Sequence, residues 1–75
     1  MIFSVMGFHP SKDELVFEQN ISLSVADLSP VMQWANRNDC VGVDFRLATA
    51  QVLEIERLAS VAFPEGLDLY LASSE

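Results

Sequence analysis

Period-two alternation of apolar and polar side chains, repeated along 75 residues, constrains this chain more than any other feature. Alternate residues of a strand point to opposite faces, so an alternating run is a strand with one buried and one wet face. Leu15, Phe17, Ile21 and Leu23, with Gln19 in the same register, alternate with Glu14, Glu18, Asn20 and Ser22. Val41, Val43, Phe45 and Leu47 alternate with Gly42, Asp44 and Arg46, the most regular of the runs. Leu67, Leu69 and Leu71 alternate with Asp68, Tyr70 and Ala72. A fourth run, residues 2–8, is rich in β-branched and aromatic residues and ends at Gly7 and His9-Pro10. The short polar stretch around Pro10, Ser11, Lys12 and Asp13 predicts a hairpin between the first two strands.

Two helical segments separate the strands. Ser29 as N-cap with Pro30 at the first helical position predicts a helix beginning near Leu28, since a proline further in would clash with the preceding turn. Ser24-Val25-Ala26-Asp27 offers a competing capping-box start. Leu28, Val31, Met32 and Ala35 share its apolar face, and Asn36, Arg37, Asn38 and Asp39 end it. The second helix is expected from Thr49 to about Ala62, with Val52, Ile55, Ala59 and Ala62 inward and Glu54, Glu56 and Arg57 outward. Pro64 and Gly66 stop it. The expected fold is a single α+β domain over residues 1–75, in the order β-β-α-β-α-β. It has one four-stranded, mostly antiparallel sheet with both helices packed on one face, and the other face open to water.

Charge narrows the class of partner. Eleven Asp and Glu face four Lys and Arg, a formal net charge of −7, while a hydrophobic fraction of 51% is too high for a disordered acidic tail. The field of such a molecule repels nucleic acid and anionic lipid and accelerates encounter with a basic protein. The single cysteine, Cys40, forms no intramolecular disulfide, which points to a reducing cytoplasm. The apolar N-terminus lacks the basic region of a signal peptide, and no run approaches a membrane span.

The residues that usually carry chemistry are sparse. His9, the sole histidine, precedes Pro10 in a turn; a general base needs a nucleophile or orienting carboxylate in reach, and Asp13 is the nearest candidate. Cys40 follows Asp39, which disfavours a reactive thiolate. With one Cys and one His, a structural zinc site of nitrogen and sulfur ligands is excluded. No calcium loop or phosphate-cradling glycine loop is present. The expectation is a non-enzyme with no metal and no cofactor.

The acids on polar strand positions are more informative. Glu14, Glu18, Asp44 and Asp68, with Val16, Arg46 and Tyr70, are expected on the sheet face that the helices leave open. That face either only maintains solubility or receives Arg and Lys of a partner around Tyr70, a residue enriched at interfaces. Trp34 is either a core-margin residue or an exposed anchor beside the polar turn that contains Asp39.

Four segments carry a resemblance. The opening strand to Phe8, the run Asp13-Glu14-Leu15-Val16-Phe17-Glu18, the junction from Leu47 to Gln51 and the closing Leu67-Asp68-Leu69-Tyr70-Leu71 resemble a small uncharacterised family of bacterial immunity-type proteins encoded beside toxin genes. Ala48-Thr49 departs from the Thr-Glu helix start expected there. The resemblance implies an inhibitor that neutralises a basic toxin domain, such as a nuclease of a bacteriocin or contact-dependent system, and it transfers no catalytic residue. Two other classes fit the composition: an acidic nucleic-acid mimic, and a structural homo-oligomer formed through the open sheet face or an edge strand. The partner-binding candidates are Glu14, Glu18, Asp44, Asp68, Tyr70, Trp34 and Asp39, on a monomer or weak homodimer that contacts neither nucleic acid nor membrane directly.

Overall fold

The computed structural model describes residues 1–36, 39 and 42–74, so Arg37, Asn38, Cys40, Val41 and Glu75 lie outside the described residues. The elements are β1 (Ile2–His9), β2 (Glu14–Ile21), α1 (Val25–Met32), β3 (Phe45–Arg46), α2 (Thr49–Ala59) and β4 (Asp68–Ser74). The strands form one antiparallel sheet in the order β2-β1-β4-β3. Phe3, Val5, Ile21, Leu69 and Leu71 point to one face, where they bury with Leu28 of α1 and Ile55 of α2. Both helices therefore lie on that face, in the expected α+β arrangement. Among the described residues, no helix is long and apolar enough to cross a membrane.

Gly7 does not end the first strand. It sits inside β1 on the helix-side face, where a Cβ would lie 2.8 Å from Leu67 Cδ1 and 3.2 Å from Phe17 Cβ. The absent side chain lets Leu67 close over the sheet.

The alternation in β2 is broken by a bulge. Gly7 pairs with Phe17 but Phe8 pairs with Leu15, leaving Val16 as an extra residue. An inserted residue reverses the parity of everything beyond it. Leu15 consequently leaves the buried face and is 48% exposed. Glu14 comes opposite His9 and shares its helix-side parity, so it does not project from the open face as expected.

α1 starts earlier than the Pro30 argument predicts. Ser24 caps it in a complete capping box: Ser24 Oγ accepts the Asp27 amide at 3.1 Å, and Asp27 Oδ2 accepts the Ser24 amide at 3.0 Å. Pro30 then lies inside the helix and withholds one amide. The cap contributes roughly 1 kcal/mol and burial of Leu28 roughly 1.5–3 kcal/mol, together comparable to the ~3 kcal/mol an interior proline costs. The second helix is shorter than expected. Ser60 adopts φ 56° and donates its amide to Glu56 O, while Glu56 Oε2 accepts the Phe63 amide at 2.7 Å. The chain leaves the helix there and Ala62 is exposed rather than part of the buried stripe.

The most regular alternation yields the shortest strand. β3 pairs only Phe45 with Leu71 and Arg46 with Tyr70. Gly42 stands in a turn at φ 72°, so Val43 is 49% exposed and Asp44 precedes the pairing. Leu47 remains buried and its amide donates to Leu69 O at 2.9 Å.

Candidate functional site

The sheet face opposite the helices is built in rows. Antiparallel register places Glu18, Met6, Tyr70 and Arg46 side by side across all four strands. In the next row Phe8 stands between Leu15 and Asp68, with Val16 bulged beside Leu15. Asn20, Ser4 and Ala72 form a third. Phe8 and Tyr70 meet edge to face, with ring centroids 5.5 Å apart. Leu15, Val16 and Ile2 at the margins are each about half exposed. The centre of this face is therefore apolar. Sequence reasoning identified Tyr70 and Val16 but missed Met6, Phe8 and Leu15. The available signal was that residues 2–8 are apolar in both parities, which a strand wetted on one side has no need to be.

Charge on this face is modest. Arg46 Nη2 lies 3.0 Å from Asp68 Oδ1, a diagonal pair across β3 and β4. Both side chains are partly solvated, so the pair contributes at most about 1 kcal/mol. Two acids, Glu18 and Asp68, against one arginine leave the face at −1, compared with −7 for the whole molecule.

Five of the ten acids among the described residues have local partners. Asp27 serves the capping box, and the Ser24 amide followed by the Ser24 hydroxyl holds its carboxyl below the usual carboxylate range. Glu54 pairs with Arg57, whose hydrogen bonds lower the glutamate and raise the guanidinium. Glu56 caps the Phe63 amide, and Asp68 holds Arg46. Asp39 Oδ2 accepts the amides of Ala35 and Asn36 at 2.8 and 3.2 Å, which fixes the turn after α1. Asp13, Glu14, Glu18, Asp44 and Glu65 have no side-chain partner among the described residues.

Of the seven sequence candidates, the structure brings Glu18, Asp68 and Tyr70 together on the open face. Asp44 is exposed just before β3, and Glu14 stands at the hairpin end with the opposite parity. Trp34 is half-buried, 6.1 Å from the Phe3 ring and 5.4 Å from Phe45, at the core margin rather than on a free surface. Its indole N–H has no acceptor among the described residues.

His9 Nδ1 accepts the Ser11 amide at 3.3 Å and lies 3.0 Å from Ser11 Oγ. Both residues are exposed in the hairpin turn, and among the described residues no third group hydrogen-bonds to the imidazole. An open groove of about 510 Å³ runs along α2, with Leu47, Val52, Leu53, Phe63 and Leu67 among its lining residues. Among the described residues, no three His, Cys, Asp or Glu side chains gather to hold a metal. No protein-family model, curated protein or solved structure matches the chain.

Proposed function

We propose that this chain is an inhibitory binding protein, an immunity-type partner that neutralises a basic toxin domain in the cytoplasm by masking its cationic cleft. The observation that carries this reading is an uncovered sheet face with an apolar centre, on a molecule with a net charge of −7. The two properties do different work. The net charge steers a basic partner to the molecule and raises the association rate. The row containing Met6 and Tyr70, with Phe8 and Leu15 beside it, supplies area that gains by leaving water. Glu18 and Asp44, with no side-chain partner among the described residues, receive Lys or Arg at the rim. A standard interface takes about 800 Å² from each partner. That is about a sixth of the 4791 Å² accessible here, the scale of one sheet face.

A second reading is favoured by the near neutrality of this face: two copies could meet through it as a homodimer. Sedimentation at micromolar concentration tests this second reading, because a monomer in isolation excludes it. The acids do not favour a nucleic-acid mimic. They are dispersed, and five serve local structure instead of lining one long face.

The main reading is tested with the protein encoded by the adjacent gene, by measuring the association rate from low to high salt. The rate is expected to fall steeply as screening shortens the range of the field. A neighbour with no basic surface, or a salt-independent rate, contradicts it.

A further inference from the structure

The longest stretch of backbone that the sheet leaves unpaired is the outer side of β2. In the order β2-β1-β4-β3, β2 is terminal with eight residues, whereas β3 at the other edge has two. A terminal strand turns alternate N–H and C=O groups away from its sheet, and proteins commonly guard it with lysine, proline, a bulge or a covering segment. β2 contains neither lysine nor proline. Its bulge lies at Val16, so residues 17–21 run in regular register with β1. Glu18 and Asn20 on the open face are exposed, and the outer side pairs with no described strand.

We propose that this edge accepts a β-strand of the basic partner, an extended segment that alternates Lys or Arg with apolar side chains. The proposal rests on the reading above and specifies how the partner is held. Both faces of β2 set the alternation. On the open face, the residue beside Glu18 has an unpaired carboxylate as its lateral neighbour, which selects a cation. On the helix-side face the lateral neighbours are Phe17, Gln19 and Ile21, apolar at both ends of this stretch. Ile21 is buried and Phe17 packs edge-on to Phe63 at 6.0 Å, so an apolar side chain there extends the core sideways. Residues 12–21 carry three acids against one lysine, which adds attraction for a basic strand. The same charge disfavours a second copy, because β2 against β2 brings together two chains of −7 each.

The test uses the intact protein and a capped seven-residue peptide alternating Val and Lys as the probe. The expected result is chemical-shift change confined to β2 and its β1 neighbours, with slower exchange of the outward amides of residues 17–21. At a peptide concentration about nine times its dissociation constant the free fraction is a tenth, so exchange slows about tenfold. The same peptide N-methylated at every backbone amide keeps its charge but loses the donors of both hydrogen-bonding edges, and it is expected not to bind. Glu18→Lys is expected to weaken binding of the Val and Lys peptide. Absence of binding, equal binding of the N-methylated peptide, shifts centred on Tyr70 and Arg46, or a β2-mediated dimer each overturns the proposal. Its failure is distinct from that of the inhibitor reading, which the adjacent-gene protein tests without reference to β2.

Discussion

Phe8 and Tyr70 meet at 88° on the sheet face that neither helix covers, one on β1 and the other diagonally across on β4. Edge-to-face packing puts the positive rim of one ring against the negative face of the other, which contributes about 0.5–1.5 kcal/mol beyond area burial. A double-mutant cycle with Phe8→Ala and Tyr70→Ala, followed by urea unfolding, is expected to show coupling of that size. Strict additivity of the two losses contradicts the contact.

Gly7 and Leu67 are matched in the opposite sense, one absent side chain making room for the other. Gly7→Ala places its Cβ 2.8 Å from Leu67 Cδ1, so the leucine must move. Overpacking of this kind costs roughly 1–3 kcal/mol. The urea midpoint should fall accordingly, and Leu67→Ala in the Gly7→Ala background should cost less than Leu67→Ala alone. An unchanged midpoint for Gly7→Ala contradicts the fit.

The capping box of α1 makes stability depend on pH in a defined direction. The folded-state pKa of Asp27 lies below its ordinary 3.8, because the Ser24 amide and hydroxyl donate to the carboxylate. Stability from Asp27 is present above its unfolded pKa and is lost as pH falls through the folded value. The gap between wild type and Asp27→Asn is therefore expected to be constant near neutrality and to shrink below about pH 4. A gap that widens on acidification contradicts the cap. Ser24→Ala should cost about 1 kcal/mol at neutral pH.

The start of α2 is under-capped. Gln51 Oε1 accepts the Ala48 amide at 2.8 Å, but Ala48 at the N-cap has no side-chain oxygen to return to the helix. Ala48→Ser completes the reciprocal pair and is expected to stabilise the protein by roughly 0.5–2 kcal/mol. Calorimetry showing no rise in Tm contradicts this.

Much of the fold was legible because side-chain parity is a local property. The strand positions and the open face follow from alternation in residues 14–23 and 67–71 and from the β-branched and aromatic run 2–8, and the hairpin follows from the polar stretch 10–13. Pairing is a non-local property, and the departures fall there. Val43 alternates as well as Phe45 does, yet the turn at Gly42 carries it away from β4. The bulge at Val16 depends on how β2 meets Gly7, and it moved Leu15 onto the open face and Glu14 off it. Pro30 taken locally favours a later start, whereas capping by Ser24 and burial of Leu28 set the start of α1. The expected acidic face became an apolar one for a similar reason. Of the four acids expected there, the bulge turns Glu14 to the other face, Asp44 falls before the pairing of β3, and Asp68 is held by Arg46, none of which composition reveals.

The most direct test of the account is to map the footprint of the adjacent-gene protein on this one by methyl and amide chemical shifts. Perturbation is expected at Met6, Phe8, Leu15, Glu18 and Tyr70, with Ile55 and the exposed side of α2 unaffected, and binding is expected to be lost in Tyr70→Ala with the fold retained. A footprint on the helices, or full binding by Tyr70→Ala, contradicts it.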